Sequence, residues 1–129
     1  MEARVCVLAG DGVGKEVTTE SMKVLEAICK KYDHNFEFIH AIVGGEAIDK
    51  FNNPLPAESL NLALGSDAIL FGAVGGPKWD NPLAETRPED AILALRKRLG
   101  LFANLRPVKV YPELLHSSPL RPEYLKDVD

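Results

Sequence analysis

Between residues 87 and 106 the chain sets groups of opposed chemical character close together: Glu89, Ile92, Leu93 and Arg96, with Arg106 just beyond in the run NLRP. A guanidinium donates a forked pair of hydrogen bonds to a carboxylate, and two branched aliphatics make a seat for a hydrocarbon arm. Together they suit a small anion with an apolar branch. At about 100° per residue the first four fall within roughly a 100° arc of one helix face. A core face would be apolar throughout, and an ordinary exposed face would not carry Ile and Leu. The same residues also admit a plainer reading, in which Glu89 caps the helix, Ile92 and Leu93 are core, and Arg96 reaches out to solvent.

The helix that carries this face starts near Pro88, with Glu89 and Asp90 placed where a helix N-terminus prefers negative charge. Before it runs AVGGPKWDNPLAETRPED, a long loop leaving an apolar strand. Its paired glycines allow a backbone to approach a ligand closely, Pro77 stiffens the turn, and loops on rigid strands commonly bind. The alternative is a surface crossover that Trp79, the only tryptophan, packs down.

These segments need a scaffold. Residues 4–9, RVCVLA, read as a strand that ends in GDGVG, and the following text has Val17, Val24, Leu25, Ile28 and Tyr32 at helical spacing. Residues 36–42 alternate apolar and polar before VGGEAI, which predicts a second strand leaving into a glycine turn. NNPLP is a loop, residues 56–64 suit a short helix, and AILF at residues 68–71 is a buried strand bounded by Gly65 and Gly72. Strands alternating with helices predict an α/β fold: a mostly parallel sheet with flanking helices and the three glycine turns at its carboxyl edge, where ligands gather. From Leu101 the text is proline-rich, with one or two extended segments expected in residues 102–111 and loop in residues 112–122. A three- or four-stranded parallel sheet is a poor stopping point, so the ending EYLKDVD is expected to be truncated.

GDGVG is a weak dinucleotide signal. Its glycines fall as G-x-G-x-G, Lys15 stands where G-x-G-x-x-G needs its last glycine, and Asp33 lies in a polar turn instead of at the end of a second strand. A tight turn that uses glycine for positive φ fits better.

Composition narrows the class. With 129 residues, 46% of hydrophobic types and a net charge of −4, the chain is a globular protein of about one domain, and the acidic balance argues against nucleic acid despite the basic LRKRL. The N-terminal apolar run is too short for a signal peptide or a membrane span, which makes a cytoplasmic protein the expectation. Cys6 and Cys29 form no CxxC or spaced framework and are expected to be reduced, and the three histidines are scattered.

LAGDGVGKEV, VGGEAID, DAILFGAVGGPKWD, RPEDAILALRK and LFANLRPVKVYP resemble, in order and spacing, the N-terminal part of the 3-isopropylmalate dehydrogenases, NAD-dependent β-decarboxylating enzymes of leucine biosynthesis in the isocitrate/isopropylmalate dehydrogenase family. The resemblance implies that Gly75, Gly76, Pro77, Lys78, Trp79, Asp80, Arg87 and Glu89 line the NAD site, with Glu89 near the nicotinamide ribose. It implies that Ile92 and Leu93 face the isopropyl arm of the substrate, and that Arg96 and Arg106 hold the malate carboxylates. A first, cofactor-side domain would take residues 1–101, and residues 102–129 would begin a second domain that forms a homodimer. The catalytic Tyr and Lys, a further substrate arginine and the ligands of Mg2+ or Mn2+ would lie beyond residue 129. Ala9 and Lys15 stand where relatives commonly have proline, and Val13 where they often have Ile.

The isolated chain is therefore expected to be inactive alone, and a non-catalytic binding or assembly fragment stays open. So does a sister decarboxylating dehydrogenase for isocitrate, homoisocitrate or tartrate, although burying a polar arm against Ile92 and Leu93 would cost free energy.

Overall fold

A computed structural model describes residues 1–125. Its elements in chain order are β1 (Glu2–Gly10), α1 (Val13–Tyr32), β2 (Asn35–His40), α2 (Gly45–Phe51), α3 (Ala57–Leu64), β3 (Ala68–Ala73) and α4 (Asp90–Arg98). Short 3-10 turns occupy Pro77–Trp79, Pro112–Ser117 and Pro122–Tyr124. The last four residues of the ending EYLKDVD lie outside the described residues.

The three strands form one parallel sheet in the order β2-β1-β3. Because β1 is central and covered on both faces, its text is a continuous apolar run instead of an alternation. Cys6 and Leu8 turn to one face and join Val43, Leu55, Ala63, Ala91 and Leu95 in the main core, so α4 shares a layer with the segment that carries α2 and α3. Val5 and Val7 alternate to the other face, which α1 covers by lying on β1 and β3. The chain thus leaves β1 toward one face and β3 toward the other, and the crevice between their carboxyl ends is where such sheets take ligands.

The helix boundaries follow local chemistry. Asp33 and Asn52 end α1 and α2 in the left-handed region, φ 53° in each case, a conformation that Asn and Asp tolerate better than most residues. Glu16 in the first turn of α1 and Lys30 and Lys31 in its last turn complement the helix dipole.

Several details differ from expectation. The helical spacing in α1 is present, yet Val17, Val24, Ile28 and Tyr32 are exposed, and Gly14 and Thr18 make the buried face. The cause is the close seating of α1 on β3: a Cβ at Gly72 would lie 2.6 Å from Thr18 Oγ1. β2 ends at His40, two residues short, and α2 occupies text that had suggested only a turn. Among the described residues, 102–111 form no strand, because no neighbouring strand pairs with them, and residues 112–117 form a 3-10 turn inside the expected loop. No helix of the described residues is long and apolar enough to cross a membrane. Cys6 is buried, Cys29 is half-buried, and both are free thiols.

Candidate functional site

The three glycine turns meet at the carboxyl edge of the sheet around one side chain, Asp11. Its Oδ2 accepts the backbone N–H of Gly45 at 2.7 Å and of Gly75 at 2.9 Å, and its Oδ1 accepts that of Glu46 at 2.9 Å. Its own N–H donates to the Ala73 carbonyl at 2.7 Å. Only 3% of Asp11 remains exposed. A buried carboxylate is tolerated when several amide donors replace its water. Gly10 and Gly12 on either side have φ of 78° and 49°, values that suit glycine and explain the G-D-G order.

The glycine loop after β3 is anchored to α2. Trp79 donates its indole N–H to Asp49 Oδ1 at 3.2 Å, Lys78 Nζ meets Asp49 Oδ2 at 2.5 Å, and the Lys78 ammonium also stands 5.2 Å from the centre of the Trp79 ring. The ammonium beside Asp49 holds its carboxyl below the usual carboxylate range, with the indole N–H adding to the effect. Nearby, Glu46 is gripped by Lys15 and Lys50, each at 2.7 Å, and these two hydrogen bonds lower its pKa to about 2. The loop tryptophan thus packs the segment down, while Gly75 and Gly76 remain half-buried at the edge of the crevice.

Where the loop turns into α4, Asp90 accepts the backbone N–H of Arg87 at 2.8 Å and Pro88 is buried in the first turn, a side-chain cap plus a proline start. Glu89 is not the capping group. It stands at the N-cap position without a side-chain cap hydrogen bond, and its Oε1 lies 2.8 Å from where a Cβ on Gly75 would stand, so the missing side chain lets the carboxylate lie against the glycine loop. Arg87 Nε is buried without a hydrogen-bond partner: Glu89 Oε2 is 3.7 Å from it, and Asp80 Oδ1 is 3.6 Å from Arg87 Nη2. The Arg87 guanidinium thus stands between the carboxylates of Glu89 and Asp80, with its Nε shielded from solvent.

The mixed face of α4 is real, and the structure divides its aliphatic pair. The core side of α4 is Ala91 and Leu95. Ile92 is half-buried, and with Arg96, Leu95, Leu99 and Ile69 and Phe71 of β3 it lines a cleft of about 170 Å³. Leu93 points away from the core and is 60% exposed. Among the described residues neither Arg96 nor Arg106 takes part in an ion pair. Arg96 stands on the helix, whereas Arg106 lies on an exposed stretch with no regular structure, so the structure brings Ile92 and Arg96 to one cleft, sets Glu89 against Gly75 at the start of the same helix, and does not fix Arg106 beside them.

The sequence reading missed Asp11 and the Asp49 anchor. A signal for Asp11 existed, an acidic residue between two glycines at a strand's end. The signal for Asp49 did not, since its partners lie 29 and 30 positions away.

Comparison with known proteins bears on this arrangement. The pattern of the isocitrate/isopropylmalate dehydrogenase family matches residues 4–129. Over its whole length the chain is 54% identical to the 3-isopropylmalate dehydrogenase of Shouchella clausii and 50% identical to that of Bacillus subtilis, covering 35% of each. The apo structure of a β-decarboxylating dehydrogenase from Thermococcus kodakarensis superposes with a TM-score of 0.66 at 36% identity, over 83% of this chain and 30% of that one. The chain therefore spans about a third of the length of the curated relatives it matches.

Proposed function

Because the chain belongs to the isocitrate/isopropylmalate dehydrogenase family, we propose that it serves the NAD-dependent oxidative decarboxylation of 3-isopropylmalate to 4-methyl-2-oxopentanoate in leucine biosynthesis, as the part that supplies the cofactor loop and one wall of the substrate site. The observation that carries this reading is the approach of the Glu89 carboxylate to Gly75, its Oε1 2.8 Å from where a Cβ would stand, which sets the glycine loop beside the start of α4.

The bound dinucleotide would supply the hydride acceptor. Gly75 and Gly76 would let the backbone approach it, Glu89 would accept hydrogen bonds from ribose hydroxyls, and Arg87 would hold the Glu89 carboxylate in place from 3.7 Å. Arg96 would bind a substrate carboxylate with its fork, and Ile92 and Leu93 would shelter the isopropyl arm, which excludes water from the side of the reacting carbon. Lys78 is committed to Asp49 in this conformation, so its role in the site is to seat the loop.

In this proposal the divalent cation, Mg2+ or Mn2+, takes no ligand from this chain; among the described residues no group of three or more His, Cys, Asp or Glu stands close enough to hold a metal. The catalytic Tyr and Lys that the resemblance implies have no counterpart assigned in this chain either. Its residues bind and orient, and turnover calls for groups that they do not provide. A homodimer working in the cytoplasm completes the proposal, and the free thiols of Cys6 and Cys29 suit a reducing compartment.

The test is titration of the purified chain with NAD+ and with 3-isopropylmalate, followed by an assay for NADH. Binding of both ligands without NADH formation is the expected result. Isocitrate binding as well as 3-isopropylmalate would overturn the substrate assignment, and NADH formation would overturn the binding-only role of the chain.

A further inference from the structure

One carboxylate ties together the three turns that the sequence scatters over residues 10–14, 44–45 and 75–76. Three converging N–H groups, those of Gly45, Glu46 and Gly75, fill both oxygens of Asp11. Aspartate is the residue type this requires. It accepts on both oxygens and presents no donor, whereas asparagine would turn an NH2 toward an N–H. Serine has a single oxygen to offer three donors. The packing is equally specific, since a Cβ on Gly44 would come within 2.5 Å of Asp11 Oδ2.

Two of the three amides bear on the glycine loop from different directions. Gly75 opens the loop, and Gly45 is the floor on which its Trp79 rests, because a Cβ on Gly45 would lie 2.4 Å from the indole carbons. Asp11 therefore holds the start of the loop and the platform under its middle.

We propose that Asp11 is a positioning residue for the dinucleotide loop: its bonds to Gly75 and Gly45 fix where residues 75–79 stand relative to α4, and so set the affinity of the loop for NAD+. The affinity half of this rests on the cofactor assignment proposed above. The half that concerns the loop's position stands on the geometry.

The experiment uses the 129-residue chain and compares Asp11→Asn with Val5→Ala, a loss of packing in β1 on the far side of the sheet from the loop. Asp11→Asn is expected to raise acrylamide quenching of Trp79, to speed hydrogen exchange at Gly45, Glu46 and Gly75 relative to β1 amides, and to weaken NAD+ binding about tenfold. Val5→Ala is expected to lower the melting temperature and to change none of these. Wild-type quenching and exchange in a folded Asp11→Asn variant overturn the proposal, as does an equal loss of NAD+ affinity in Val5→Ala. If Asp11→Asn does not fold, exchange in the native chain decides. Joint opening of the three amides supports the proposal, and Gly75 opening ahead of the other two overturns it. A wild-type chain that binds no NAD+ counts against the cofactor assignment, and quenching and exchange then still decide whether Asp11 positions the loop.

Discussion

The indole of Trp79 occupies the space in which a side chain on Gly45 would stand, with ring carbons 2.4 Å from that position. Gly45→Ala should therefore lift Trp79 off α2, break its hydrogen bond to Asp49, and shift its emission to the red. A loss of about 1–3 kcal/mol in urea unfolding is expected. An unchanged emission maximum would show that the ring finds room without leaving.

Gly44 is constrained twice over. Its φ is 79°, and a Cβ there would press on the Asp11 oxygen that holds Gly45 and Gly75. Gly44→Ala adds backbone strain to the steric conflict and should cost about 3 kcal/mol, measured by denaturant unfolding. Gly65→Ala is the contrast: it meets only ordinary contacts, with no atom nearer than 3.4 Å, and should change stability little.

The Lys15–Glu46–Lys50 cluster predicts the shape of the acid side of the stability curve. The carboxyl of Glu46 titrates near 4.5 unfolded and at about 2 folded, because Lys15 and Lys50 hydrogen-bond its charged form. A depressed folded pKa contributes stability that is present above the unfolded value and lost as pH falls toward about 2. With Glu46 partly exposed, about 1 kcal/mol is at stake. Comparing wild type with Glu46→Gln from neutral pH downward, the two curves should converge at the acid end. Parallel curves would mean that the lysines give Glu46 nothing.

On α4 the core position Leu95 and the proposed substrate-facing position Leu93 lie two residues apart. Leu95 is 5% exposed in the core, and Leu95→Ala should cost about 2–4 kcal/mol. Leu93→Ser should change stability by less than about 0.5 kcal/mol. The same substitution should weaken 3-isopropylmalate binding, as judged by calorimetry, if Leu93 shelters the isopropyl arm. A Leu93→Ser chain with unchanged affinity would remove Leu93 from the site.

Much of this was legible in the sequence because the signals are local. The run VCVLA, the spacing through α1 and the Pro88–Glu89–Asp90 start of α4 each depend on a few neighbouring residues. The seven residues of α2 were not legible: just under two helical turns give too little period to detect, and Gly44 supplies no side-chain cap. The text at residues 102–111 reads as one or two extended segments, and it forms no strand because a strand exists only where a neighbour pairs with it. In the site, the arc from Glu89 to Arg96 followed from helical geometry. Asp11 did not, since the amides it binds lie 34 to 64 positions further along.

The central place of β1 in the sheet sets the order in which the chain can assemble during its own synthesis. β1 precedes both of its neighbours in the chain, and its second partner, β3, ends only at Ala73. Until then the apolar run of β1 has one neighbour at most, and it must wait without aggregating while the intervening helices form. The bond from Asp11 to Gly75 cannot close before that moment, so the same carboxylate that orders the loop also records that β3 has joined β1.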